Sequence, residues 1–339
     1  MDEKNIKIDK FILNNVESSS KTIVSLVSGR FNISRQSAHK HVAREVENKN
    51  LVKTGHTRST QYFLAEGKHI EFSLKIDSGL REQDVWTKYV KSMIKKYPEN
   101  IYKICQHSFT EIFNNVIDHS EGTVVHTIID IKDGNIEMAI IDDGVGIFEK
   151  IKKALKLSTA REAILHLSKG KFTTDPTKHS GQGIFFTSRF CDSFSILSCD
   201  MYYTFAHDEW FLSNERKLDV NKGTYIKMII SLGSKKEPKK IFDKFSDEER
   251  GFHKSTVAVA LSNDPNDPHV SRSQAKRLLM GLEKFKTIVL NFKDVESVGQ
   301  AFVDEVFRVF QNEYPGVKIH YVNANKEVES MIRIGLANK

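Results

Sequence analysis

The sequence predicts a multidomain α/β protein with three successive folded regions, and three observations carry that prediction. Residues 1–66 show three helix-spaced apolar stripes followed by two short strand-like runs. Within residues 67–235, strand-like alternation at 69–76 and 135–141 flanks a long helical pattern around 109–120. Residues 253–339 alternate strand-like with helix-like runs, which implies a small sheet with parallel pairings. Residues 236–252, rich in Lys, Glu and Asp, read as a polar linker with room for one short helix.

A chain of 339 residues is long enough for two or three domains, each with its own core. The formal charge of +7 and pI near 9.0 permit an anionic partner without demanding one. Cys105, Cys191 and Cys199 form no CxxC pair and cannot all be bridged, which fits a reducing cytoplasm. No apolar run approaches the ~20 residues needed to span a bilayer, and the charged start MDEKNIKIDK lacks the apolar stretch of a signal peptide. A cytoplasmic protein with no membrane partner is expected.

In the first region, Ile6, Ile8, Phe11, Ile12 and Val16 outline one helix, and Ile23, Val24 and Val27 a second that stops at Gly29-Arg30-Phe31. Ser34 is well placed as N-cap of a third helix over 35–48. Two strands, 51–53 and 61–64, follow around Gly55. This order resembles a winged helix-turn-helix, with ISRQSAHKHV similar to its recognition helix. The resemblance implies that Arg35, Gln36, His39 and Lys40 face DNA bases, that Arg44 lies near the backbone, and that Lys53, His56 and Arg58 sit on the wing. Arg and Gln can pair bidentately with base edges, whereas Lys mostly contacts phosphate. The alternative is a protein-docking module whose cations form a solvated face. His39 and His41 are two apart, do not share a helix face, and make no metal pair.

The second region holds the most informative stretch, FTEIFNNVIDHS at 109–120. As a helix it aligns His107, Glu111, Asn115 and Asp118 or His119 on one stripe, while Phe109, Ile112, Phe113, Val116 and Ile117 cover the other side. The polar stripe offers a carboxylate, a carboxamide and an imidazole with no cation, which suits a metal ion and a phosphate chain. IDDGVGI at 141–147 closes a strand, and its Asp142 can accept from an exocyclic amino group while Gly144 and Gly146 let a flat ring approach the backbone. HSGQGIFF at 179–186 sets Gly181 and Gly183 before a helical run, a junction that presents unpaired N–H groups to phosphates.

In this order and spacing the three segments resemble the N, G1 and G2 boxes of the GHKL ATPase superfamily, over about residues 70–231. That resemblance implies a two-layer α/β sandwich of the Bergerat type, with ATP and Mg²⁺ as cofactors. It makes Glu111 the general base, Asn115 the Mg²⁺ ligand and Asp142 the reader of the adenine amino group. Gly144 and Gly146 match the G1 glycines, Gly181 and Gly183 those capping the phosphates, and Thr224 a threonine near the adenine. Residues 148–178 then correspond to a lid. Its Lys150, Lys152, Lys153, Lys156, Lys169, Lys171 and Lys178, with Thr173 and Thr174, could screen phosphate, although a solvated lysine face is the commoner explanation. Rival signatures fail. Gly170-Lys171 lacks the rest of a P-loop, no HExxH is present, and no phosphoacceptor histidine box precedes the first motif.

In the third region, strands are expected at 256–261, 287–292 and 317–322, and helices at 273–285, 300–310 and 327–334. LNFKDVESVGQAFVDEVFRVF resembles STAS-like domains, relatives of anti-sigma-factor antagonists. Where the antagonists carry a phosphorylated serine, this chain has Gly299-Gln300-Ala301, with Ser297 merely nearby. A docking or dimerisation module for a protein partner is therefore expected. The whole reads as a winged helix (1–66), a GHKL-type ATP-binding domain (67–235), a linker (236–252) and a STAS-like domain (253–339). The function expected is an ATPase switch coupled to DNA and protein binding, with an anti-sigma-type serine/threonine kinase as the alternative. Such a chain could readily form a homodimer.

Overall fold

A computed structural model describes residues 3–48, 50–55, 60–65, 67–171, 181–213, 222–246, 251–262 and 271–337. The protein is mixed α/β and divides into two compact units. Residues 1–144, 190–195 and 224–238 form one, and 145–189, 196–223 and 239–339 the other.

The first unit opens with α1 (Glu3–Asn15), α2 (Ile23–Phe31) and α3 (Arg35–Glu47), followed by the antiparallel hairpin β1 (Leu51–Thr54) and β2 (Gln61–Leu64). Ile8, Ile12, Val16, Ile23, Val27, Ala38 and Val42 bury their side chains with Leu51 and Tyr62, so the helical stripes read from the sequence meet in one small core. Asn32 ends α2 in the left-handed region (φ 49°), a conformation its short polar side chain tolerates. The Ser34 hydroxyl accepts from the Ser37 amide at 3.1 Å and starts α3 as expected.

This N-terminal part is seated on the rest of the unit. Glu17 pairs with Lys96, and Phe63, Leu64, Tyr97 and Leu232 line the seam. A Cβ added to Gly134 would lie 3.0 Å from the Thr54 methyl carbon, and one on Gly233 would lie 3.1 Å from its hydroxyl oxygen.

Next come β3 (Lys68–Lys75), α4 (Glu82–Val85), a π-helical stretch (Trp86–Val90) and α5 (Lys91–Ile94). The helical segment from Glu82 to Ile94 thus contains a wide turn, and Trp86 and Val90 both stay buried across it. The long α6 (Glu99–His119) leads into β4 (Val124–Lys132) and β5 (Asn135–Asp142). The main sheet also takes β6 (Ser193–Ser198), β7 (Met201–Ala206), β8 (Glu209–Ser213) and β9 (Tyr225–Ser231), in the order β3-β4-β5-β9-β6-β7-β8. Strands β3, β4, β5 and β9 pair antiparallel throughout. α6 packs on β5 and β9 with Phe109, Ile112, Phe113 and Val116 turned inward, leaving its polar stripe less covered.

The second unit contains α7 (Ile147–Leu155), a 3₁₀ turn (Ala160–Glu162), α8 (Ala163–Lys169), nearly all of α9 (Gly183–Phe190), and α10 (Pro238–Phe245) in the expected linker. Its C-terminal segment is a three-stranded sheet of β10 (Lys254–Ala258), β11 (Thr287–Asn291) and β12 (Lys318–Val322), parallel in that order. The connecting helices are α11 (Arg272–Leu279), α12 (Gln300–Asp304) continuing through a π stretch into α13 (Phe310–Glu313), and α14 (Lys326–Ala337). Leu278, Ile288, Leu290, Phe302, Val306 and Ile332 form its buried centre. The strand–helix alternation legible in the sequence thus becomes parallel pairing. Among the described residues, no helix is long and apolar enough to cross a membrane.

Candidate functional site

The last residue of β5, Asp142, is buried at 6 % exposure, unusual for a carboxylate. Its Oδ1 accepts the Gly144 amide at 2.9 Å and the Thr224 amide at 3.3 Å, and its own amide donates to the Thr224 carbonyl at 3.0 Å. Burial pushes this carboxyl above the usual carboxylate range, while the two amides and the Thr224 side chain pull it back. Neighbouring Asp143 is the reverse case. It is exposed and accepts from the Thr123 amide and hydroxyl at 2.6 Å each and from the Val124 amide at 3.0 Å. These bonds, led by the Thr123 hydroxyl, hold its carboxyl down at about 2. One carboxylate of the pair therefore stitches the turn to β4, and the other is fixed in a buried setting.

Gly144 is required by close approach rather than by dihedral angle. A Cβ there would lie 2.0 Å from the Ser120 carbonyl oxygen, so the turn after β5 touches the residue that caps α6. From that contact, Asn115 lies about 7.5 Å and Glu111 about 13.5 Å back along the helix axis, at ~1.5 Å per residue. Both are half-buried and share a face. One turn before Glu111, His107 is also half-buried, its ring edge-on to Phe190 at 5.0 Å, and burial lowers its pKa. Its Nε2 is buried with no hydrogen-bond partner among the described residues. The first unit thus holds Asp142, Gly144 and Thr224 together at the end of β5, with Asn115 and Glu111 farther back along α6.

The other glycines belong to the second unit. Gly146 has φ +82° and caps α7, and a Cβ on it would lie 2.7 Å from Ser198 Oγ. That hydroxyl donates to the Gly223 carbonyl at 3.0 Å, and Gly223 itself has φ +81°. Gly181 has φ +68°, and Gly183 is the first residue of α9. The positive φ of Gly146, Gly181 and Gly223 favours glycine. Of the lysines between the two glycine motifs, Lys152 pairs with Glu149 at 3.6 Å. Lys169 is buried rather than solvated. Lys171 donates to the Lys284 carbonyl at 2.8 Å. Thr173, Thr174 and Lys178 lie outside the described residues.

On α3, Arg35, Gln36, His39 and Lys40 are exposed together, and Lys53 is exposed on β1. Arg44 is differently engaged, since its Nη2 donates to both oxygens of Asp9 at 2.6 Å, and His41 Nδ1 lies 3.3 Å from the same carboxylate. His39 Nε2 lies 3.4 Å from the Tyr62 hydroxyl. His56 and Arg58 lie outside the described residues. Among the described residues, no cluster of His, Cys, Asp and Glu could by itself hold a metal ion.

Residues 274–329 match a family described as a STAS-like domain of unknown function (DUF4325). This match falls on the part that the sequence likened to STAS-like domains. No curated protein matches the chain.

Proposed function

We propose that the chain is an ATP-binding regulatory protein of GHKL type, in which nucleotide occupancy controls DNA binding by a winged helix and protein binding by the STAS-like segment. The observation that carries this reading is Asp142, a buried carboxylate locked in one orientation at a strand end by the Gly144 and Thr224 amides. Burying that carboxylate carries a desolvation cost that its bonds to the Gly144 and Thr224 amides offset in part, while Asp143 separately anchors the turn to β4. A buried acceptor beside a glycine turn fits an exocyclic amino group on a flat ring.

The remaining donor set fits a nucleotide and Mg²⁺. Asn115 and Glu111 follow at about 7.5 and 13.5 Å along α6, so a nucleoside polyphosphate laid along the helix meets an amide and then a carboxylate. Asn115 would hold Mg²⁺ through its carboxamide oxygen, and Glu111 would accept the proton of the attacking water. Mg²⁺, when bound, supplies charge neutralisation to the phosphate oxygens. Gly181 and Gly183 offer backbone amides of the kind that bind phosphate.

For DNA, the exposed Arg35, Gln36, His39 and Lys40 approach base edges and Lys53 the backbone, while Arg44 braces α3 on α1. The test is a calorimetric titration with a non-hydrolysable ATP analogue and Mg²⁺. Saturable binding that Asp142→Asn abolishes supports the reading, and the absence of binding by the natural protein refutes it.

A serine/threonine kinase of the anti-sigma type is the second reading, favoured by the STAS-like match at 274–329 in the same chain. Against its acting on that segment stands Gly299-Gln300-Ala301 at the expected acceptor position. Incubation with γ-labelled ATP separates the readings. Label on protein supports a kinase, and label released only as phosphate supports an ATPase.

A further inference from the structure

The segment containing the second pair of glycines is fastened to the C-terminal part of the second unit by contacts unlike those of a loosely tethered domain. α9 starts at Gly183, and its Phe185 ring lies 4.7 Å from Phe252 and 5.1 Å from Phe245. Phe186 lies 4.9 Å from Phe242 and 5.1 Å from Phe252. Buried among these rings, Arg189 stacks on Phe185 at 3.4 Å, faces Phe245 at 5.2 Å, and donates to the Phe185 carbonyl at 2.9 Å.

On α8, Lys169 is equally buried. Its Nζ donates to the Arg277 carbonyl at 3.2 Å and the Met280 carbonyl at 3.0 Å, at the C-terminal end of α11. Its own carbonyl accepts from Ser255 Oγ of β10 at 2.7 Å. Gly170 follows with φ +78°, and a Cβ there would lie 2.7 Å from the Phe252 ring and 3.0 Å from Phe185.

Ordinary packing between neighbouring elements needs only apolar area. Here two basic side chains are buried, each at a desolvation cost that apolar residues of the same volume would avoid. Their carbonyl contacts are directional, so α8 and α9 are held in one arrangement against β10 and α11. Gly181 and Gly183 sit at the start of the helix so held.

We propose that Lys169, Phe185, Arg189 and Phe252 are positioning residues for Gly181 and Gly183, through which the STAS-like segment sets the protein's affinity for the phosphate chain of the nucleotide. The inference rests on the nucleotide reading and adds its route of regulation. A protein partner that favours one arrangement of β10 and α11 changes polyphosphate affinity by the same factor by which nucleotide changes partner affinity. Recognition of the base by Asp142 is expected to be unchanged.

The test uses the full chain and two ligands, a non-hydrolysable ATP analogue with Mg²⁺ and adenosine. Lys169→Met removes the carbonyl contacts while keeping volume, and Phe252→Leu loosens the ring cluster without a cavity large enough to unfold it. Each is expected to weaken the ATP analogue about fivefold or more, the lower end of typical coupling factors, and to leave adenosine within about twofold. Should Lys169→Met fail to fold, Phe252→Leu carries the measurement. Folded variants with natural affinity for the analogue, or with equal loss for both ligands, overturn the proposal. If the natural protein binds neither ligand, the nucleotide reading itself fails and the route falls with it.

Discussion

Thr224 holds Asp142 from two sides, its amide donating to the carboxylate at 3.3 Å and its carbonyl accepting the Asp142 amide at 3.0 Å. An Asn side chain at 142 keeps an oxygen for the same two backbone amides, but it turns a donor toward any exocyclic amino group. Asp142→Asn is therefore expected to retain its melting temperature and to lose nucleotide affinity by tenfold or more. That loss corresponds to ~1.5–3 kcal/mol for a hydrogen bond to a charged group. Differential scanning fluorimetry and calorimetry on the same preparation check both halves.

Asp143 should behave in the opposite way. Its carboxyl is held at about 2, so its contribution to stability is complete above the ordinary carboxylate range and is lost as pH falls toward that value. Urea unfolding of Asp143→Asn should show lower stability at neutral pH and a shallower acid limb than the natural protein. Nucleotide affinity should be unchanged at a temperature where both are folded.

The turn after β5 tolerates no side chain at its first glycine. Gly144→Ala would bring Cβ within 2.0 Å of the Ser120 carbonyl oxygen, and backbone cannot give way as a side chain can. A loss of about 2–3 kcal/mol in unfolding free energy is expected, at the upper end of overpacking costs. Gly29→Ala, where a Cβ meets nothing within 4 Å and the residue lies inside α2, should be neutral or stabilising in the same denaturation assay.

Burial pulls the Lys169 ammonium down to about 7. A base whose pKa is depressed by folding contributes stability that is complete above the unfolded value of ~10.4 and is lost as pH falls through the folded one. The stability of the natural protein relative to Lys169→Met should therefore rise between about pH 7 and 10. A flat difference across that range would mean that the amine is solvated.

On the N-terminal helices, the cations divide by task. Arg44→Ala breaks the pairing with Asp9 and should lower the melting temperature, whereas Arg35→Ala, at an exposed position, should not. If α3 reads DNA, Arg35→Ala reduces affinity in a gel-shift titration by ~1–3 kcal/mol for its site and relaxes specificity there.

How much of this was legible in the sequence differs by element. The three N-terminal helices, β5, α6 and the C-terminal alternation were visible because each buries one regular face, which leaves a period in the residues. β4 was not anticipated, since VVHTIIDIK places Ile128 on the outward side and Thr127 on the inward one, blurring its alternation. In β7 and β8 the aromatic runs MYYTFA and EWFLS carry no clean period at all.

At the site, the spacing of Glu111 and Asn115 and the strand-end position of Asp142 were readable. The different hydrogen-bond settings of Asp142 and Asp143 are made by Thr224 and Thr123, remote in sequence from the pair. Lys169 was hidden among seven lysines in 148–178, and only its contact with the end of α11 distinguishes it. The bracing of Arg44 by Asp9 likewise needs two helices to be seen together.

The seating of Thr54 against Gly134 and Gly233 decides where this polypeptide can be severed. Cutting between residues 66 and 67 would lay bare Leu232 and Ile131, greasy patches that Phe63 and Leu64 now shelter, so a truncated product should clump unless those positions are made hydrophilic. Nor could the leading sixty-odd residues be exchanged for a homologous head without matching the hairpin tip to both glycines.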